Sequence, residues 1–411
     1  MNGSMKKIAL GNTLFFKLYN WLHSGKYWRV PIAALQSGAQ QPVQILQSEQ
    51  TCELVLPHFL GRDKPAPLCR SVPELAITCL SNAVLTLDAA NFYMDGRLLV
   101  ETLPSVPMGV ANYAGSMVRC NNTDTAMLRG IQDALFQPGK SLLLGGNGAG
   151  NYYHWLLEVL PKLGLLNQST LDALGIEQIL LGEQVQRIPS FQAALMAVLA
   201  ARGITAPLVV LPYGQTVRVE HGFHITSPNA VLLNALDKAF PNSHGYFSRG
   251  MLAEYADIFR PLAKVVAFAP KKIFLMRKAS SLSAYNKRHF NQDEVFAIFA
   301  RYGFEAVVVE DYSFFEQIYL FSQASHIVGA SGAFWANVIF CSPGCKAASW
   351  LVPEFEDFLV YSTLAHYFAC EMYFVQAQAE QLGDMHGPYR LDSLRVEQFC
   401  QQLEQTNFFV N

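Results

Sequence analysis

Between residues 40 and 140 the apolar positions come in short runs, "PVQILQ", "CELVLP", "AVLTLD" and "RLLVETL", separated by Pro, Gly, Asn and Asp. Runs this short, bounded by turn formers, predict a strand-rich region with tight turns. From Ser141 the rhythm changes. "SLLLG" and "EQILLG" predict buried strands, residues 151–166 and 191–202 read as helices, and "PLVVLP" and "VRVEHGFHI" read as further strands. A second alternating unit has strands predicted at 272–277, 304–310, 326–330 and 346–352, with helices at 292–302, 314–324 and 333–340 between them. A helix near 357–369, a strand at 371–376 and a last helix at 392–405 follow. The intervening stretch 229–264 reads as helical, interrupted at "PNSHGYFSRG". Asn291 with Glu294, and Ser313 with Glu316, have capping-box spacing.

Strands alternating with helices predict an α/β protein with parallel sheets. Two such units in tandem predict two facing Rossmann-like domains with an interdomain cleft and a strand-rich N-terminal part. The expected division is 1–235 for the strand-rich region plus a first α/β domain, 236–264 for a linker, 265–380 for a second α/β domain, and 381–411 for a C-terminal helix packing back. Ligands of open α/β sheets sit beyond the carboxyl ends of the strands, so the cleft is the expected site.

Composition narrows the function classes. Of 411 residues 51% are apolar and only 15% charged, which gives ample core and excludes a disordered chain. A net charge of −2 with no long lysine or arginine run predicts no nucleic-acid partner. The eight cysteines show neither CxxC nor zinc-finger spacing and are expected to be buried reduced thiols, which suits a cytoplasmic location. No apolar run is long enough to cross a membrane. Within residues 5–22, Leu14, Phe15, Leu18 and Trp21 can line one face of an amphipathic helix. That face docks on the protein or makes a peripheral membrane contact.

Two glycine-rich turns carry candidate chemistry. "HIVGASGAFWANVIFCSPG" leads a strand through Gly329, Ser331 and Gly332 into a helix from Ala333, with Asn337 one turn on. Bare N–H groups at a helix N-terminus bind anions, so this is either a phosphate cradle or simply a tight turn, with Ser331 as ligand or cap. Arg277 ends a strand of the same unit, and Lys287, Arg288 and His289 precede its capped helix; guanidinium groups suit bidentate phosphate contacts. The other turn is "GNGAGNYYHWLLEVLPK", Gly146–Lys162. At helical spacing Asn151, His154, Glu158 and Lys162 form one stripe on an otherwise apolar helix. A histidine one turn before a glutamate is a pair able to take a proton from a hydroxyl, and Pro161 predicts a kink that opens carbonyls toward the cleft.

Here the motifs resemble a known family. "HWLLEVLPK" is similar to the H-W-x-x-[DE]-x-x-P-[RK] run of glycosyltransferase family 61, the group once called capsular polysaccharide biosynthesis proteins. "RHFNQDE" resembles its R-x-x-N-x-x-E segment, and "GASGAFWANVIF" its G-x-x-G-A-x-x-x-N-x-x-F block, in the same order over about residues 141–352. The resemblance implies a GT-B fold and an inverting transfer of sugar from a nucleotide sugar, of the UDP type, to a saccharide or glycan acceptor in surface polysaccharide synthesis. It would place Arg277, Arg288, Gly332, Ala333 and Asn337 at the donor; Gly329, Ser331 and Asn151 are expected substrate-binding residues from the turn and helix stripe themselves. His154 would stand near the reacting centre, and by the helix spacing either His154 or Glu158 is the base, with the other orienting it. Many members have histidine where this chain has Ser331. No D-x-D triplet occurs in the sequence, so no metal and no other cofactor is expected. The rival readings are a non-catalytic nucleotide- or saccharide-binding scaffold and an NAD-dependent nucleotide-sugar-modifying enzyme, although "GGNGAGN" lacks the GxGxxG spacing the latter needs.

Overall fold

The computed structural model describes residues 27–35, 42–113, 115–232, 235–237, 240–278, 288–380 and 387–406. The N-terminal amphipathic segment at 5–22 and Lys287 lie outside them.

Continuous apolar runs become strands covered on both faces, as parallel sheets require. Lys272–Leu275, His326–Gly329 and Lys346–Leu351 are buried along nearly their whole length. With Glu305–Val307, Glu371–Gln376 and the short strand His58–Phe59 they form a six-stranded, all-parallel sheet. That last strand comes from the strand-rich beginning of the chain. Its neighbourhood is fastened down: Val55 N–H donates to Thr363 Oγ1 at 2.9 Å, and Ser362 Oγ donates to Val55 O at 2.6 Å. Tyr367 donates to Glu53 O at 2.8 Å, and Arg62 pairs with Glu356.

The second sheet is mixed and has twelve strands among the described residues. Its parallel part runs Val217–Ile225, Leu135–Leu144, Gln178–Gly182, Leu208–Leu211. Antiparallel strands from the first hundred residues extend it beyond Val217–Ile225. The register of Leu135–Leu144 slips between Gln137 and Lys140, where Pro138 has no N–H to give and Gly139 takes φ +76°.

Helices from both halves share one apolar core between the sheets. Trp155 stacks on Phe191 at 5.3 Å, and Phe259 meets Tyr255, Phe314 and Phe340 edge-on. The α/β class and the strand-rich beginning are as expected. The stretch 229–264 is not. It opens with antiparallel strands, Asn229–Val231 against Gly245–Phe247, and among its described residues only Arg249–Phe259 is a regular α-helix. Pro241 removes a helical donor, and Gly245, whose Cβ would lie 2.7 Å from the Ala230 carbonyl, lets the two strands close. Asn291 also differs from expectation. It ties to Leu391, accepting from its N–H at 3.0 Å and donating to its carbonyl at 2.9 Å, and makes no cap. Ser313 and Glu316 do form the capping box.

Candidate active site

The predicted helix at 151–166 is built in three pieces. Asn151 caps its start, with Oδ1 accepting from Tyr153 N–H at 2.9 Å. Tyr152–His154 is α-helical, Trp155–Val159 is a π-helical turn, and Pro161–Gly164 resumes the α-helix. Proline is the cause. An α-helix would send the N–H of residue 161 to the Leu157 carbonyl, and proline has none. The chain widens so that Leu160 N–H reaches Trp155 O at 2.9 Å instead. The freed Leu157 carbonyl is taken by Asn229 Nδ2 at 2.6 Å, so it does not open toward the cleft as Pro161 predicted.

This turn holds His154 and Glu158 together, Nδ1 to Oε2 at 2.6 Å, with side chains only 13% and 9% exposed. Glu158 Oε1 is buried with no hydrogen-bond partner among the described residues. Over the imidazole lies the glycine loop. Gly148 sits at φ +68°, and a Cβ there would come within 2.6 Å of His154 Cδ2. Glycine serves here for close approach to a ring as much as for its left-handed conformation. The loop is pinned from behind: Gly146 N–H donates to Leu87 O, Ala90 N–H to Asn147 Oδ1, and the buried Lys162 Nζ to Gly145 O at 2.9 Å.

His154, Glu158 and Asn151 line a cavity of about 790 Å³, and Arg288, Ser331 and Ala333 line it too. The two motif regions, well over a hundred residues apart in sequence, therefore face one space. Residues 152–348, which contain both, match the family model described as Glycosyltransferase 61. Over this stretch the chain carries a glycosyltransferase family 61 region. No curated protein matches it.

The other predicted site residues of this family 61 region lie behind the wall. Arg277 donates to Arg288 O at 2.8 Å and to Ser331 O, so it braces the turn. Gly329 is a packing glycine: a Cβ would come within 2.7 Å of Leu275 Cβ on the neighbouring strand. Gly332 starts the helix in extended backbone and backs onto Phe334 and Arg277. Asn337 is fully buried, for a helical reason. Ala333–Phe340 is a 3₁₀-helix, with three residues per turn, which carries Asn337 about 120° round from Ala333 instead of the ~40° of an α-helix. Its Oδ1 accepts from Tyr152 at 2.6 Å, and its Nδ2 donates to Gln317 Oε1 at 3.1 Å. Asn337 thus joins the two motif regions from below.

Sequence reasoning missed a buried charge group under the His154 side of the cavity. Glu101 lines the floor, accepting from Ser227 Oγ at 2.9 Å and from Ser227 N–H. Burial alone would raise its carboxyl, but the neighbouring His224 and Lys162 and the Ser227 N–H hold it at about 2. His224 Nε2 stands 3.7 Å from Glu101 Oε2, too long for a hydrogen bond. Burial, and then the Lys162 charge, push His224 below the ordinary imidazole range. Lys162 is pushed down by burial and held up by Glu101 and Glu158. The one signal in the sequence was His224, set between Phe223 and Ile225 at the apolar end of its strand. On the opposite wall, Trp350 Nε1 donates to Tyr389 at 2.8 Å, and Phe290 stacks on Tyr389 at 5.3 Å, forming an aromatic platform beside Arg288. Among the described residues no helix is long and apolar enough to cross a membrane.

Proposed function

We propose that this glycosyltransferase moves a sugar from a nucleotide-sugar donor, of the UDP type, to a hydroxyl of a saccharide acceptor, with inversion and without a metal. The reading includes a GT-B-like pair of facing domains, 1–235 on the acceptor side and 265–380 on the donor side. The observation that carries it is the shared cavity, with a histidine–carboxylate pair on one wall and an arginine beside a glycine turn on the other. Its volume suits a small-molecule site. With His154 Nδ1 turned to Glu158, the other ring nitrogen, Nε2, is left to accept a proton. His154 is then the base, and Glu158 orients it and stabilises the imidazolium. The acceptor oxygen attacks the anomeric carbon as its proton passes to Nε2. The sugar–phosphate bond breaks, and its electron pair leaves on the diphosphate beside Arg288 and the Ser331 turn. The absence of any D-x-D triplet supports a mechanism in which protein groups alone meet that charge.

The test pairs binding with rate. A thermal-shift series against UDP, GDP, CMP and dTDP should show stabilisation by one of them. Transfer from the matching donor should then fall about 10²–10⁴-fold in His154→Ala, the range of a lost general base, with donor binding kept. Wild-type rates in both His154→Ala and Glu158→Gln would refute the assignment.

A further inference from the structure

At the opposite end of the six-stranded sheet from the cavity, three thiols converge. The sulfurs of Cys341, Cys345 and Cys370 all lie within 4.8 Å of one another, and all three residues are buried. Cys341 ends the 3₁₀-helix, Cys345 immediately precedes Lys346–Leu351, and Cys370 immediately precedes Glu371–Gln376. Those strands are parallel neighbours with Lys346 opposite Glu371, so register places Cys345 and Cys370 side by side. Trp350, which walls the cavity, is five residues along from Cys345, about 16 Å at strand rise. The cluster is therefore a separate place in the molecule.

The backbone around it is held in an unusual shape. Gly344 turns at φ +86°, and its N–H donates to Ala369 O at 2.8 Å. Ala369 itself sits at φ +54°, in the left-handed region a β-carbon disfavours by about 1–2 kcal/mol. That costly turn is what brings Cys370 beside the "CSPGC" loop.

We propose that Cys341, Cys345 and Cys370 form a site for a thiophilic metal cation, held by three sulfurs at the N-terminal edge of the parallel sheet. With metal–sulfur bonds of about 2.3 Å, a trigonal site sets its sulfurs about 4.0 Å apart, within the observed span. Among the described residues no histidine, aspartate or glutamate joins the group. An all-sulfur, three-coordinate set suits Cu(I); Zn(II) uses the same thiolates with a fourth ligand from water or a carbonyl. Binding changes no oxidation state. Each thiol that becomes a ligand releases its proton to solvent, so uptake falls with pH.

The reduced, metal-free full-length chain, kept anaerobic, is titrated with Cu(I) against a competing Cu(I) chelator and separately with Zn²⁺ against a chelating dye. Either metal at one equivalent per chain, with a raised melting temperature, is the expected result. X-ray absorption of the loaded wild type should find three sulfurs at about 2.3 Å, alone for Cu(I) and with one oxygen for Zn(II). This readout needs no variant to fold. Cys345→Ser and Cys370→Ser should each lose the tight equivalent, while Cys69→Ser and Cys400→Ser keep it. Uptake of neither metal at one equivalent, fewer than three sulfur neighbours, or retention by Cys345→Ser and Cys370→Ser would overturn the proposal.

Discussion

Replacing Gly148 with alanine separates two roles of glycine at one position. The left-handed φ of +68° costs a β-carbon about 1–2 kcal/mol. The new methyl also lands 2.6 Å from His154 Cδ2 and 2.9 Å from Cγ, where ordinary contact begins near 3.5 Å. The ring, the loop or both must give by about 1 Å. The imidazole is anchored by its 2.6 Å bond to Glu158, and the loop by its bonds to Leu87 and Ala90, so neither yields freely. A displacement of about 1 Å at a reacting group costs on the order of 10²-fold in rate. Gly203 is the control, because it has φ +61° and a Cβ there would meet nothing within 4 Å. Urea denaturation should therefore show Gly203→Ala destabilised by about 1–2 kcal/mol and Gly148→Ala by more, because of the added clash. Initial transfer rates with the donor found by thermal shift should fall about 100-fold in Gly148→Ala alone. A wild-type rate in Gly148→Ala, or an equal loss in Gly203→Ala, would refute the role of the loop in placing His154.

Three further outcomes follow from buried polar groups. Glu101 is held at about 2 against an ordinary 4.5, so its contribution of about 3 kcal/mol is complete above pH 4.5 and is lost as the pH falls toward 2. Glu101→Gln should remove a similar amount at neutral pH and flatten that acid limb in denaturation curves. Tyr152→Phe and Asn337→Leu should each cost about 1–3 kcal/mol by orphaning the partner, and a double-mutant cycle should show the pair less damaging together than the sum. Asn229→Ala should cost about 2 kcal/mol or more, because it strips both the Leu157 carbonyl and the Ser248 N–H of their partner, and hydrogen exchange should rise first in the Trp155–Val159 turn.

What the sequence disclosed follows the range of the forces involved. "EQILLG" and "HIVGA" announce buried parallel strands because burial on two faces needs an apolar residue at every position. His154 and Glu158 are one helical turn apart, so their pairing is local and readable. Pro161 announced a break, but the Leu157 carbonyl it frees is taken by Asn229, seventy-two positions beyond that leucine. Glu101, Lys162 and His224 come from three separate elements, and no spacing rule brings them together. Asn337 was misplaced because an α-helix was assumed where the chain tightens to 3₁₀. The cysteines were read by their intervals, while register between two strands is what assembles Cys345 with Cys370.

The strand His58–Phe59 has a consequence for how the protein comes to exist. Its sheet neighbour is made at the far end of the chain, and the bonds that fasten this segment span 307 to 314 positions. During synthesis the first of these partners waits for some 307 to 314 further residues. Until then the short strand His58–Phe59 has no sheet to join, and an unpaired edge is a template for pairing with other chains. Such long loops close late and slowly. The parallel sheet that carries the Ser331 turn is therefore completed by a strand made more than three hundred residues earlier.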